Sequence, residues 1–172
     1  MPIDFQKLDL RDALDLAILI EEEAKERYEE FTRIVGGRYP GDASDVFKLM
    51  AGYEAKHHAQ LLAKRKKLFG RQKVRVTRDQ LDDVEAPDRG KPRVFMSARQ
   101  AMEVALESEE KAHDFFAQAL KQVKDAKVKK LFTELKAEEV AHKKLIQARL
   151  RKLPEGPDVE ESEADEPGSD AG

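Results

Sequence analysis

Apolar residues recur every three to four positions in four stretches of the chain, the spacing of one face of an α-helix. The first stripe reads Leu14, Ala17, Glu21, Ala24, Tyr28, Phe31, Val35 and the second Val46, Met50, Glu54, His57, Leu61, Leu68. The third reads Met102, Ala105, Glu109, Ala112, Phe116, Ala119, Val123 and the fourth Val128, Phe132, Leu135, Glu139, His142, Ile146. Local signals bound the helices. The first begins near residues 9–11 and ends at Val35, where Gly36 and Gly37 stop it and Pro40-Gly41 turns the chain. Asp42 or Ser44 caps the second, which ends at Phe69 before Gly70; Ser97 caps the third, reaching Val123. Asp125 caps the fourth, which runs to Leu153 before Pro154.

Short loops inside each half make two antiparallel hairpins. Between them, residues 71–97 form a long irregular stretch, with an extended piece expected at 74–77 and a helical turn at 79–84. It is long enough to run from one end of a bundle to the other. The expected fold is all-α, a four-helix bundle of two hairpins joined by a long crossover, over residues 1–153. Residues 154–172 hold eight acids and no base and little to bury, so an acidic disordered tail is expected there.

The stripes contain residues that do not belong in an oily core. Glu21, Glu54, Glu109 and Glu139 sit where apolar side chains are expected, as do His57 and His142. A buried carboxylate is strongly unfavourable unless it is paired or binds a cation. In Glu54-x-x-His57 and Glu139-x-x-His142, the i, i+3 spacing brings an acid and an imidazole onto one helix face, about a turn apart. The order repeats: Glu21 then Glu54/His57, and Glu109 then Glu139/His142, with 33 residues between the acids of the first pair and 30 between those of the second. Two such hairpins packed about a pseudo-two-fold axis would bring all six side chains to one point, where four acids balance two divalent ions.

Composition narrows the chemistry. There is no cysteine among the 172 residues, which excludes thiolate zinc sites, cysteine nucleophiles and Cys-ligated iron–sulfur centres and leaves oxygen and nitrogen as ligands. The apolar run at 17–20 is too short for a spanning or signal segment, so no membrane association and a cytoplasmic location are expected. Apart from the tail, 32 bases face 27 acids. That excess of five is spread among acids without an aromatic platform, as at Lys64–Lys67, and reads as solvated helix surface and not as a nucleic-acid site.

One Glu from each of two helices and a Glu-x-x-His from each of the other two is the pattern of ferritin-like di-metal bundles. More narrowly, Ile20-Glu21-Glu22-Glu23-Ala24-Lys25-Glu26-Arg27-Tyr28, Tyr53-Glu54-Ala55-Lys56-His57-His58-Ala59 and Glu109-Glu110-Lys111-Ala112-His113-Asp114-Phe115-Phe116 resemble the rubrerythrin branch of that superfamily, over about residues 10–152. The resemblance implies a non-haem centre of two iron ions, with manganese or a mixed pair as variants, that reduces hydrogen peroxide or dioxygen. It implies that Glu54 and Glu139 bridge the ions, that Glu21 and Glu109 are terminal, and that His57 and His142 bind one ion each. Two departures stand out. Without cysteines the chain has no rubredoxin-type iron site, so electrons must come from a separate donor protein. Many relatives also place a carboxylate one turn after the third-helix Glu, where this chain has Ala112, which leans toward ferritin-like oxidation of iron by oxygen.

Other readings concern neighbouring residues and assembly. Tyr28 lies two turns along the stripe from Glu21, where its hydroxyl either hydrogen-bonds a ligand or packs as ordinary core. His113 and Glu110 lie off the stripe and read as flanking residues, with His113 as an additional ligand being the alternative; His58, turned 100° from His57, reads as exposed. The long crossover permits exchange of hairpins between two chains, so a homodimer is expected. The alternatives to an oxidoreductase are a ferroxidase or iron-storage protein and a non-enzymatic structural bundle.

Overall fold

A computed structural model describes residues 2–81 and 83–153; the expected tail at 154–172 lies outside the described residues. The chain forms α1 (Leu10–Val35), α2 (Ala43–Phe69), a short 3₁₀ turn (Arg78–Gln80), α3 (Ala98–Leu120) and α4 (Ala126–Leu150). The helix starts are fixed by side-chain caps. Asp9 accepts from the Asp12 amide at 2.9 Å, Asp42 from the Asp45 amide at 3.2 Å, and Asp125 from the amides of Lys127 and Val128. Ser97 and Gln100 form a reciprocal capping box. Gly36 and Gly70, at φ 61° and 55°, end α1 and α2 in the left-handed half of backbone space.

Several expectations need correction. Asp42 and not Ser44 caps α2. α3 stops at Leu120, although Val123 is still buried, because the amides of Gln122 and Val123 both turn back onto the Ala119 carbonyl. α4 stops at Leu150. Residues 74–77 run without helix or strand, with Thr77 extended as expected, and the turn expected at 79–84 is the 3₁₀ turn at Arg78–Gln80. Leu68 is 49% exposed, and the α2 stripe continues from Leu61 to Arg65 instead. Arg65 is buried because Asp15 of α1 is buried opposite it: Nε and Nη2 donate to the Asp15 carboxylate at 2.8 and 3.2 Å, and the remaining donors take the Gly70 and Gln72 carbonyls. The basic run at 64–67 is therefore not wholly solvated.

The helices run up, down, down, up. Arg99, at the start of α3, donates to the Leu150 and Leu153 carbonyls at the end of α4, and Arg38, in the α1–α2 loop, donates to the Met96 carbonyl. The start of α3 thus lies at the same end as the start of α2, and the crossover spans the bundle. It is fastened along α1 in register. Arg75 pairs with Asp9 and Asp12, Arg78 with Glu22 and Glu26, Arg27 with Asp83, and Arg89 with Glu30. On the other side Lys111 of α3 donates to the Ala86 carbonyl and pairs with Asp88.

The core has two apolar clusters. One joins Leu14, Leu16 and Ile20 to Phe116, Leu131, Phe132 and Leu135; the other joins Tyr28, Phe31, Phe47 and Met50 to Met102, Ala105 and Ile146. The four stripe acids occupy the layer between them.

Candidate metal centre

Each hairpin builds one triad. In the first, Glu21 of α1 meets Glu54 and His57 of α2; in the second, Glu109 of α3 meets Glu139 and His142 of α4, the ligand atoms of each set lying within 4.8 Å of one another. The two triads share a geometry. His57 Nδ1 lies 3.6 Å from Glu21 and 4.0 Å from Glu54, and His142 Nδ1 lies 3.0 Å from Glu109 and 3.7 Å from Glu139. In both cases Nδ1 faces the acid one turn back on its own helix and the acid of the neighbouring helix. The two imidazoles stack at 4.5 Å, 9° from parallel, which joins the triads into one centre. All six metal-ligand candidates read from the sequence are therefore brought together within one chain.

A fifth carboxylate enters this layer from the crossover. Glu85 is 1% exposed and lies within 4.8 Å of both Glu54 and Glu109, one acid from each triad. The stripes gave no hint of it, since it sits outside any periodic segment; the only local signal is an acid between Val84 and Ala86, both buried. Ala112 is fully buried, so α3 itself adds no further acid on this face.

The electrostatics of the centre are those of ligands awaiting a cation. Both oxygens of Glu54 and of Glu85, and one each of Glu21 and Glu139, are buried with no hydrogen-bond donor in range among the described residues. Burial first, and then the charges of Glu85 and Glu21, hold the Glu54 carboxyl well above the usual carboxylate range; Glu139 is raised by burial and by Glu85. Glu85 is raised by burial and by the charges of Glu21 and Glu109. Burial would lower His57, but the Glu21 carboxylate, 3.6 Å from its Nδ1, and the charges of Glu138 and Glu109 outweigh burial and raise it. Five acids gathered in one dry layer, with imidazoles and no sulfur, form a hard oxygen and nitrogen donor set that fits two ions of the iron or manganese type.

Tyr28 lies beside the layer with its hydroxyl fully buried and without a hydrogen-bond partner among the described residues. Burial, then the charges of Glu109 and Glu54, push its ionisation well above the ordinary phenol range against a smaller opposing effect of Ser108, so it stays protonated. His113 turns away, with Nδ1 3.2 Å from Asp114, and Glu110 pairs with Lys143. Neither joins a triad. His58 is half-buried, not fully exposed, and belongs to neither group. Among the described residues no helix is long and apolar enough to cross a membrane.

A family model described as Rubrerythrin matches residues 12–150. No curated protein matches the chain. Among solved structures, an uncharacterized conserved protein from Magnetospirillum magnetotacticum MS-1 is 23% identical, with 89% of this chain and 100% of that chain covered at a TM-score of 0.67. A hypothetical protein from Pyrococcus furiosus is 21% identical, covering 84% of this chain and 89% of that one at a TM-score of 0.53. At these identities the two structures establish a shared fold.

Proposed function

The chain belongs to the rubrerythrin family, and on that premise we propose that it is a non-haem di-iron oxidoreductase that reduces hydrogen peroxide or dioxygen while Fe(II) is oxidised to Fe(III). The observation that carries this is the pair of Glu-Glu-His triads, whose buried oxygens lack donors. Glu21, Glu54 and His57 would hold one ion and Glu109, Glu139 and His142 the other. Bound iron would supply one electron from each ion, the two that reduction of a peroxide requires.

The chain's own residues supply the rest. The two apolar clusters exclude bulk water from above and below the layer, which strengthens every charge interaction within it. Tyr28, kept protonated by its surroundings and with no other partner for its hydroxyl among the described residues, is the hydrogen-bond donor we assign to the reduced oxygen. Electrons for repeated turnover come from a separate donor protein, because the sequence has no cysteine for a second iron site.

That absence also favours a second reading, in which iron is oxidised once and passed on or stored, as a ferroxidase does. Anaerobic loading with Fe(II), followed by rapid mixing with peroxide or with air, tests both. Oxidation of two irons per chain faster than free Fe(II), with sustained peroxide or oxygen consumption once a reductant is added, is the expected result. Oxidation without sustained consumption, in a large assembly, selects the ferroxidase reading. Oxidation no faster than that of free Fe(II) overturns both.

A further inference from the structure

We infer that Glu85, carried into the bundle by the crossover, is a seventh metal ligand, and that metal binding thereby clamps the crossover to the helices. This rests on the reading of the two triads as a metal centre and adds to it a residue from outside the helices.

The cations that reach the crossover near Glu85 bind its chain neighbours. Arg27 donates to the Pro87 carbonyl at 2.6 Å and to Asp83 at 2.7 Å; Lys111 donates to the Ala86 carbonyl at 2.7 Å and to Asp88 at 3.1 Å. The acids two residues before and three after it are thus matched at the surface. The two carbonyl bonds hold the backbone just after residue 85, where its side chain enters the buried layer. Both its oxygens are buried without a donor among the described residues. A carboxylate is not held in a dry layer unless something positive completes it. Its neighbours there are Glu54 and Glu109, which offer no proton donor when ionised, and a cation shared with them satisfies all three.

The position between the triads has a structural consequence. Glu54 belongs to the first hairpin and Glu109 to the second, so a ligand reaching both joins the hairpins through the segment that already links them in sequence. The ion pairs along α1 hold the outside of the crossover, and Glu85 holds its inside. Removal of metal removes the inner attachment and leaves the outer ones.

Anaerobic titration of the full chain with Co(II), read by visible absorption, tests this with a metal that keeps its oxidation state during the measurement. The variants are Glu85→Gln, of the same shape; Glu85→Asp, which keeps the charge but shortens the reach; and Asp88→Asn, a change in the same segment away from the layer. Wild type and Asp88→Asn should bind two Co(II) with one spectrum. Glu85→Gln should lose affinity for at least one ion by about 10–100-fold or more, the range seen even for residues that act behind a ligand, with altered band intensity; Glu85→Asp should fall between. In parallel, hydrogen exchange in peptides covering residues 83–88 should slow when Co(II) is added to wild type and not when it is added to Glu85→Gln. If both Glu85 variants bind two ions with wild-type affinity and spectrum, Glu85 is not a ligand and the inference fails while the triads stand. If wild type binds no Co(II), the reading of the triads fails first.

Discussion

At the scale of single residues, the centre is defined by acids whose protons stand in for a metal. Glu54, Glu85 and Glu139 are all raised above the ordinary value of 4.5, by burial and then by the charges of neighbouring acids. A raised acid binds more protons folded than unfolded, so its contribution is greatest at low pH and is lost as pH climbs above 4.5 toward the native values. His57, also raised, adds a change of the same sign: its stabilisation is present below its unfolded value and lost as pH rises through the native one. Metal-free protein should therefore melt at a lower temperature at about pH 8 than at about pH 5. Metal binding displaces these protons, so affinity should rise over that range and calorimetry in buffers of different ionisation enthalpy should detect proton release. The Glu54→Ala, Glu139→Ala double variant should bind neither ion stably, and retention of both would remove these residues from the ligand set. Tyr28→Phe deletes a hydroxyl that has no hydrogen bond, so the melting temperature and metal content should hold. Loss of that hydrogen-bond donor should still slow turnover, by about 10² or more.

At the scale of elements, two arginines decide where the crossover lies. Arg65 is a buried cation that binds Asp15 through two bonds and also holds the chain just past α2 by the Gly70 and Gln72 carbonyls. Arg65→Ala leaves Asp15 buried and unpaired, and urea unfolding should show a loss of about 3–5 kcal/mol. Arg27→Ala frees Pro87 and Asp83, but Asp83 is 39% exposed and recovers water, so the loss should be nearer about 1–3 kcal/mol. The helices and their triads were legible because ligands and core share one periodicity: Glu21 four after Ala17 and Glu54 four after Met50 stand out against their stripes. Arg65 and Glu85 were not legible, for different reasons. Arg65 sits in a basic run where only the position of Asp15 on another helix makes it interior, and Glu85 sits in a segment without a repeating pattern, aimed by bonds from Arg27 and Lys111 that are remote in sequence. The missing turn at the end of α3 follows the same rule, since Val123 kept its apolar spacing after the backbone had left the helix.

At the scale of the whole molecule, the metal layer divides the core in two and belongs to all four helices. Stability and occupancy should therefore move together. Free metal at about 100 times Kd contributes about 2.7 kcal/mol per site, so chelation should lower the melting temperature of the entire bundle in one transition and not merely loosen one hairpin. Two transitions, with one hairpin melting independently of metal, would contradict a shared centre. The completeness of the six ligands within one chain also means that exchange of hairpins is not needed to assemble the centre, whatever the number of chains in solution.

The stacked imidazoles carry a last consequence. His57 and His142 are the outermost members of their triads, with side chains 15% and 18% exposed while the acids behind them are nearly closed off. Both face the acids through Nδ1, so a metal held there leaves only an N–H at Nε2 and no lone pair for an electrophile. Diethyl pyrocarbonate should modify these two rings readily in empty protein and hardly at all in loaded protein, while His113 reacts alike in both. Read by mass spectrometry, the pair would serve as a gauge at the surface, reporting from outside how full the interior is.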